Sequence, residues 1–322
     1  MAFLGFILRL KKGKKMKKKK MMNKIYLASL ALFLMSYSGC KNSGDYSDTP
    51  TYGKISISVD ETFKPLVDSE INTFKGIYNY ADVEVNYRTE AQAFDDLMND
   101  TIRLIIVSRK LNAEELKQFE KWEIVPKVTK IAYDAVALIG SKDLKDSTIS
   151  LNDLKSLLSD EIVSSFKNTK VVFDNNNSST ISFLSEKIGF KKLSSRCYAL
   201  NSNEAVLNYI SKEKNSIGVI GVNWISDRDD TTNISFLKSV KVLEISNTDT
   251  SESYKPYQAY IAQKIYPLWR EVYIISREAY TGLGTGLTAF IASERGQRIV
   301  LKFGLVPATM PVRLVELINE DL

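Results

Sequence analysis

The chain contains no histidine, which removes Ser-His-Asp and Cys-His catalysis and His-ligated zinc from its chemistry. Carboxylates could still do acid–base work, and Asp60-Glu61, Asp95-Asp96 and Asp229-Asp230 are adjacent acids. Adjacent side chains on a helix or strand diverge, and these sit in polar company, so they read as solvated surface. No nucleophile with a base and no metal cage is apparent. The sequence therefore reads as a protein that is not an enzyme and that requires no cofactor. The run Thr281-Gly282-Leu283-Gly284-Thr285-Gly286 lacks the Gly-Lys-Ser/Thr ending of a phosphate loop and reads as a flexible lead into the last helix. A stronger candidate is Asp174-Asn175-Asn176-Asn177-Ser178-Ser179-Thr180, between an apolar run and a helical pattern. Two readings fit it. Oxygens before a helix often serve only as caps, and hydroxyls beside free amides at a helix N-terminus also make an anion site.

The second chemically distinctive residue is Cys40. A Lys-rich run, an apolar stretch from Ile25 to Met35 and then Tyr37-Ser38-Gly39-Cys40 form a secretory signal ending in a lipobox. Small Ser38 and Gly39 admit a signal peptidase, and the Cys40 thiolate is the nucleophile that takes the lipid. This predicts a signal peptide over residues 1–39 and a lipidated tether over residues 40–52, polar and broken by Gly and Pro. The apolar stretch is shorter than the ~20 residues of a comfortable transmembrane helix. Residues 1–39 carry ten of the 44 basic residues and none of the 38 acids, so the remainder holds 34 basic residues and a net charge of −4. The isoelectric point near 9.0 thus belongs to the leader, and nucleic acid is not expected as a partner. With Cys40 lipidated, only Cys197 remains, and no internal disulfide can form. Cys197 reads as a buried small hydrophobe.

Elements that could position these groups follow from periodicity. Short β-rich runs alternate with amphipathic stretches, the pattern of an α/β protein with mainly parallel sheets. Strands are expected at 54–59, 83–88, 104–108, 132–140, 171–173, 217–221, 240–245 and 271–276. Helices are expected at 64–78, 91–99, 113–120, 151–158, 181–188, 204–212 and 286–303, with Asn112 and Asn203 as N-caps. Polar stretches at 227–233 and 247–254 read as surface loops.

Several segments, in order from Lys54 to Pro307, resemble the phosphate-binding family of ABC transporter solute receptors, here in lipoprotein form. Ser58-Val59-Asp60-Glu61-Thr62-Phe63 stands where that family opens its first helix, and Leu104 to Arg109 where it has a strand ending in Ser-Asp. Asn177-Ser178-Ser179-Thr180 stands where it has Gly-Ser-Gly-Thr, and Ile217-Gly218-Val219-Ile220-Gly221 is similar to its Ile-Gly-Tyr-x-Gly strand. The most specific matches are Tyr266-Pro267-Leu268 and Glu294-Arg295-Gly296-Gln297 followed by Gly304-Leu305-Val306-Pro307. The resemblance implies a two-lobed periplasmic binding protein fold of type II with hinge crossovers and a cleft between lobes. One lobe would take residues 53–133 and 258–322, the other 134–257. It implies an anion held by Thr62, Ser108, Arg109, Asn177, Ser178, Ser179 and Thr180, at helix N-termini that converge. It also implies a role in delivering phosphate or a related oxyanion to an inner-membrane permease, from a lipid anchor in the cell envelope facing the periplasm. Two departures stand out: Asp174 occupies a position where the family usually has Arg, and Arg109 one where it has an acid. Arg109 could grip an oxyanion or pair with Asp174. The alternative reading keeps the fold as an envelope sensing or interaction module that has lost phosphate specificity.

Overall fold

Alternating β-branched residues make the first strand, β1 (Gly53–Asp60), whose Ile55, Ile57 and Val59 are buried. The computed structural model describes residues 48–159, 166, 169–226, 238 and 240–310. After β1 the chain makes one turn of 3-10 helix at Glu61–Phe63 and enters α1 (Lys64–Ile77), with Pro65 in its first turn. It continues through β2 (Ala81–Arg88), α2 (Glu90–Met98), β3 (Leu104–Val107), α3 (Ala113–Lys121) and the long β4 (Lys127–Ser141). The next group is β5 (Thr148–Ser150), α4 (Leu151–Leu158), β6 (Lys170–Phe173), α5 (Ser179–Ile188), β7 (Cys197–Ala199), α6 (Asn203–Lys212) and β8 (Ser216–Gly221). A 3-10 turn at Val222–Trp224 follows, then β9 (Val240–Val242), β10 (Glu244–Ser246), β11 (Ser253–Tyr254) and α7 (Gln258–Ala262). The last elements are β12 (Trp269–Ser276), α8 (Leu283–Ala292), α9 (Glu294–Lys302) and β13 (Val306–Pro307).

The principal sheet has the order β2-β1-β3-β12-β4-β8-β6-β7, with β13 and β9 also paired to β4. Its two wings are parallel, β2-β1-β3 on one side and β8-β6-β7 on the other. The middle strands β12 and β4 run antiparallel to their neighbours. β4 changes partner along its length: residues from Lys127 to Ala135 pair with β12, and Val136 to Gly140 with β8. The change of partner is held by Val136 N–H donating to the Leu268 carbonyl at 2.9 Å and by Tyr266 Oη donating to the Val136 carbonyl at 2.8 Å. A smaller sheet, β11-β10-β5, lies apart from this one. Helices bury apolar stripes on the wings; α1 buries Leu66, Val67, Ile71 and Phe74. Phe74 stacks within 5.4 Å of Phe290, and its truncation to Ala would cost about 3–5 kcal/mol.

Several expectations need correction. The helix foreseen at 286–303 starts earlier, at Leu283, and breaks at Ser293 into α8 and α9. At the break the chain folds back so closely that a Cβ on Gly296 would sit 2.4 Å from the Ile291 carbonyl oxygen. Gln297, fully buried, bridges the gap by donating to the carbonyls of Ile131 and Ile291 and accepting from Thr309 N–H. The glycine-rich lead is therefore mostly the first turn of α8. The strand foreseen at 132–140 begins at Lys127, because the half-exposed start of β4 still pairs with β12. The cap of α6 is Ser202, whose Oγ accepts from Ala205 N–H, and Asn203 is its first helical residue. Asn112 does cap α3, in a capping box with Glu115. Cys197 is half-buried at the outer edge of the sheet rather than fully enclosed.

The ordered fold also reaches back into the expected tether. Asp48 is 4% exposed, accepts from Leu283 N–H at 2.9 Å and Arg103 at 3.2 Å, and bonds to Tyr280. A carboxylate at the N-terminus of α8 satisfies an amide that the helix cannot and faces its positive end. Cys40, the signal segment, most of the tether and the loop at 227–233 lie outside the described residues. Among the described residues no helix is long and apolar enough to cross a membrane.

Candidate functional site

The sequence pattern that ends β1 and β6 in polar residues brings two turns together. At the end of β1, Asp60 Oδ1 accepts from Thr62 N–H at 3.1 Å, shaping the 3-10 turn. At the end of β6, the Asp174–Thr180 loop leads into α5, where Ser178 Oγ caps the helix by accepting from Thr180 N–H and meets Thr180 Oγ1 at 2.7 Å. The turns meet where Thr62 Oγ1 lies 3.3 Å from Ser179 Oγ. Thr62, Ser178, Ser179 and Thr180 are all essentially buried. The 3-10 turn after β8 holds the back of this junction: Asn223 Nδ2 and Trp224 Nε1 both donate to the Thr62 carbonyl, at 3.0 and 2.8 Å. Gly221 permits the approach, since a Cβ there would lie 2.6 Å from Thr62 Cγ2.

The cation of the site is Arg270, on β12. Arg270 is 4% exposed; its Nε donates to Asp134 Oδ2 at 2.9 Å and Nη1 to Ser179 Oγ at 3.0 Å. Its Nη2 has no partner. A buried guanidinium with a free donor beside hydroxyls and a helix N-terminus is suited to hold an oxygen-bearing ligand. Five buried acceptor oxygens in the same region also lack partners: Asp60 Oδ2, Asp134 Oδ1, Asp174 Oδ1, Asn203 Oδ1 and Asn223 Oδ1. Burial pushes the Asp60 carboxyl up to about 7, with the Glu90 charge adding to it and Arg270 opposing. Glu61, bonded to Asn203 across the junction, is also pushed up to about 7, chiefly by burial. Burial raises Asp174 and Asp134 as well, against the pull of Arg270. Asp60 and Glu61 are thus part of this buried cluster and not solvated surface, because the end of β1 faces into the junction rather than outward.

Of the residues expected to hold an anion, Thr62, Ser178, Ser179 and Thr180 come together. Ser108 does not sit at a helix N-terminus, since α3 starts five residues later. Its N–H and Oγ both donate to Glu90 Oε1, at 2.6 and 2.7 Å, so an internal carboxylate already occupies these donors. Arg109 turns away from Asp174. It makes a two-pronged pair with Glu115 at 2.9 Å in each prong and lies over the Phe94 ring, 3.5 Å from its centroid. Asn177 is exposed, with its N–H committed to Asn175 Oδ1 at 3.0 Å. Asp174 keeps company with Ser178 instead. Arg270, Asp134 and Asn203 escape sequence reasoning. Among the described residues no group of three or more carboxylates or thiols is arranged to hold a metal ion.

A model of the PBP superfamily domain matches residues 44–295 of the chain, and so spans both turns and Arg270. The chain belongs to the PBP superfamily. Among relatives of this PBP-superfamily member is the phosphate-binding protein PstS of Borreliella burgdorferi, 26% identical over 296 residues that cover 86% of this chain and 97% of the relative. PstS of Pseudomonas aeruginosa is 22% identical over 302 residues, 84% of this chain and 87% of the relative. Among solved structures, a phosphate ABC transporter substrate-binding protein from Clostridium perfringens with bound phosphate superposes with a TM-score of 0.67 at 22% identity, covering 80% of this chain and all of that one. An ABC-type phosphate transport receptor from Vibrio cholerae gives 0.61 at 16% identity, covering 79% and 100%. Those likenesses identify the two-lobed α/β fold.

Proposed function

We propose that this chain is a receptor that binds phosphate or a closely related oxyanion and hands it to an inner-membrane permease of an ABC transporter. The observation that carries this reading is the buried Arg270, with its free Nη2 beside the hydroxyls of Thr62, Ser179 and Thr180 at the start of α5. Relatives named as phosphate-binding proteins over nearly their whole length support it. The ligand-binding residues are then Thr62, Ser178, Ser179, Thr180 and Arg270. Ser108 contributes by fixing Glu90, and Arg109 and Asn177 stand outside the contact set. The two lobes divide where β4 changes partner, between Ala135 and Val136, and the chain returns near Gln258. Cys40 carries the lipid that holds the receptor in the cell envelope, facing the periplasm. The protein binds and releases its ligand and catalyses nothing, in keeping with the lack of a histidine base.

Calorimetric titration of the purified protein with phosphate tests this. Saturable binding is expected, weakened about tenfold by Ser178→Ala and about a hundredfold by Arg270→Met, the range of one neutral and one charge-assisted hydrogen bond. Absence of heat with phosphate, arsenate and organic phosphates would favour an envelope interaction module instead.

A further inference from the structure

The chain enters its fold at a fixed point. Asp48 is buried against the start of α8, where it accepts from Leu283 N–H at 2.9 Å and from Arg103 at 3.2 Å. Just beyond it, the Pro50 carbonyl lies so close to α8 that a Cβ on Gly286 would sit 1.8 Å from its oxygen. The glycine-rich start of α8 thus seats the incoming segment. Thr49 N–H then donates to the Tyr52 carbonyl at 2.8 Å, and Gly53 N–H to the Tyr80 carbonyl at 3.0 Å, which joins this segment to the turn between α1 and β2.

Exposed aromatic surface gathers at that entry. Tyr52 is 56% and Tyr80 78% exposed, and their ring centroids lie 6.1 Å apart. Ile77, also exposed, ends α1 just before the Tyr80 turn. The other large exposed hydrophobics among the described residues, Leu116, Val125, Val128, Tyr198 and Tyr257, stand on other elements. Tyrosine joins an apolar ring to a hydroxyl that is best left in water, the combination enriched where the acyl chains of a bilayer meet its headgroups. Charge does not oppose such a contact. Lys54 meets Asp82 and Glu84, at 3.6 and 3.7 Å, and Lys75 also meets Asp82. These two lysines and two acids cancel, which leaves the aromatic pair as what this face offers.

We propose that the Tyr52–Tyr80 face, with Ile77, rests on the phospholipid surface of the membrane that holds the lipid on Cys40. This inference rests on the lipid-anchor reading above and names the face by which the anchored protein meets its membrane. Chain length argues for this occupant. From Cys40 to Asp48 the chain advances eight residues, which span at most about 29 Å when fully extended, the diameter of a small domain. Tyr52 follows closely on Asp48, so this face stays near the bilayer in every orientation that the tether allows. The anchor thereby supplies the effective concentration that a patch of two rings needs, and the patch adds a second membrane signal to the acyl chains.

Photolabelling tests this. The full-length protein is expressed in bacteria, purified from their membranes in detergent and reconstituted in vesicles of phosphatidylethanolamine and phosphatidylglycerol. The vesicles include a phospholipid with a diazirine near the headgroup end of one acyl chain, and peptide mass spectrometry maps its adducts. Adducts are expected on the peptides that hold Tyr52 and Ile77 to Tyr80, with none at Val125 or Tyr198. They should persist in about 1 M salt, where charge attraction is screened beyond ~3 Å. Tyr52→Ser combined with Tyr80→Ser should lose the adducts while the protein stays with the vesicles and keeps the wild-type thermal midpoint, since both side chains are mostly exposed. Vesicle-bound wild type with no adducts on this face, with adducts spread evenly over the surface, or with Tyr52 and Tyr80 covered by a second copy of the chain would overturn the proposal and leave the anchor standing. Protein without an acyl group on Cys40 that separates from the vesicles would overturn both.

Discussion

Glu70 offers a test of the packing argument away from the ligand. It lies on the buried face of α1 among Leu66, Val67, Ile71 and Phe74, is 1% exposed, and neither carboxyl oxygen has a partner. Burial pushes its carboxyl from 4.5 up to about 9. The folded protein therefore keeps a proton that the unfolded chain loses above pH 4.5, and fewer protons on the unfolded chain mean that stability falls as pH rises from there to about 9. At about 1.4 kcal/mol per pH unit, the cost relative to a side chain that does not ionise is under ~1 kcal/mol at pH 5, about 3 at pH 7 and about 5 at pH 8. Glu70→Gln keeps the shape and a buried polar head while removing the ionisation. Urea unfolding of wild type and Glu70→Gln should show a gain for the variant that widens by about 4 kcal/mol from pH 5 to pH 8. A gain of equal size at both pH values, or none, would mean that Glu70 is solvated or paired and would refute the reasoning.

Other expectations concern single contacts. Gly221→Ala forces a Cβ against Thr62 Cγ2 and Asn223 Nδ2, so thermal unfolding should show a loss of about 1–3 kcal/mol, accompanied by weaker phosphate binding because Thr62 must shift. Arg109→Ala breaks the half-exposed pair with Glu115; it should cost about 0.2–1 kcal/mol in chemical denaturation and leave phosphate affinity unchanged. Cys40→Ser should abolish incorporation of labelled fatty acid and release the protein from membranes on fractionation.

What the sequence disclosed, and what it concealed, divides along the range of the interactions. The Asn177–Thr180 segment could be read because hydroxyls just before a helical period announce an N-terminus, and Ser178 does cap α5. Asn112 with Glu115 could be read for the same local reason. Arg270 could not, since it takes its meaning from Asp134, 136 residues earlier, and from Ser179, 91 residues earlier. Polar neighbours suggested that Asp60 and Glu61 were solvated, yet polarity along the chain carries no information about which end of a strand meets another turn. The helix break at Ser293 was hidden because apolar spacing runs on through it; Gly296 and Gln297 signal it only once the carbonyls of Ile131 and Ile291 are known to lie beside them.

The strand β4 has a mechanical consequence. It is a single span of fifteen residues that belongs to one wing of the sheet as far as Ala135 and to the other from Val136 onward. Any bending of one wing against the other must flex this span at its change of partner, where Asp134 holds Arg270. The change of partner and Asp134, which holds Arg270 of β12, are thus neighbours on one backbone, so in the proposed receptor a ligand drawn to the guanidinium would act beside the pivot. In the proposed receptor a short lever of this kind would turn a small adjustment at the ligand into a larger swing of the wings.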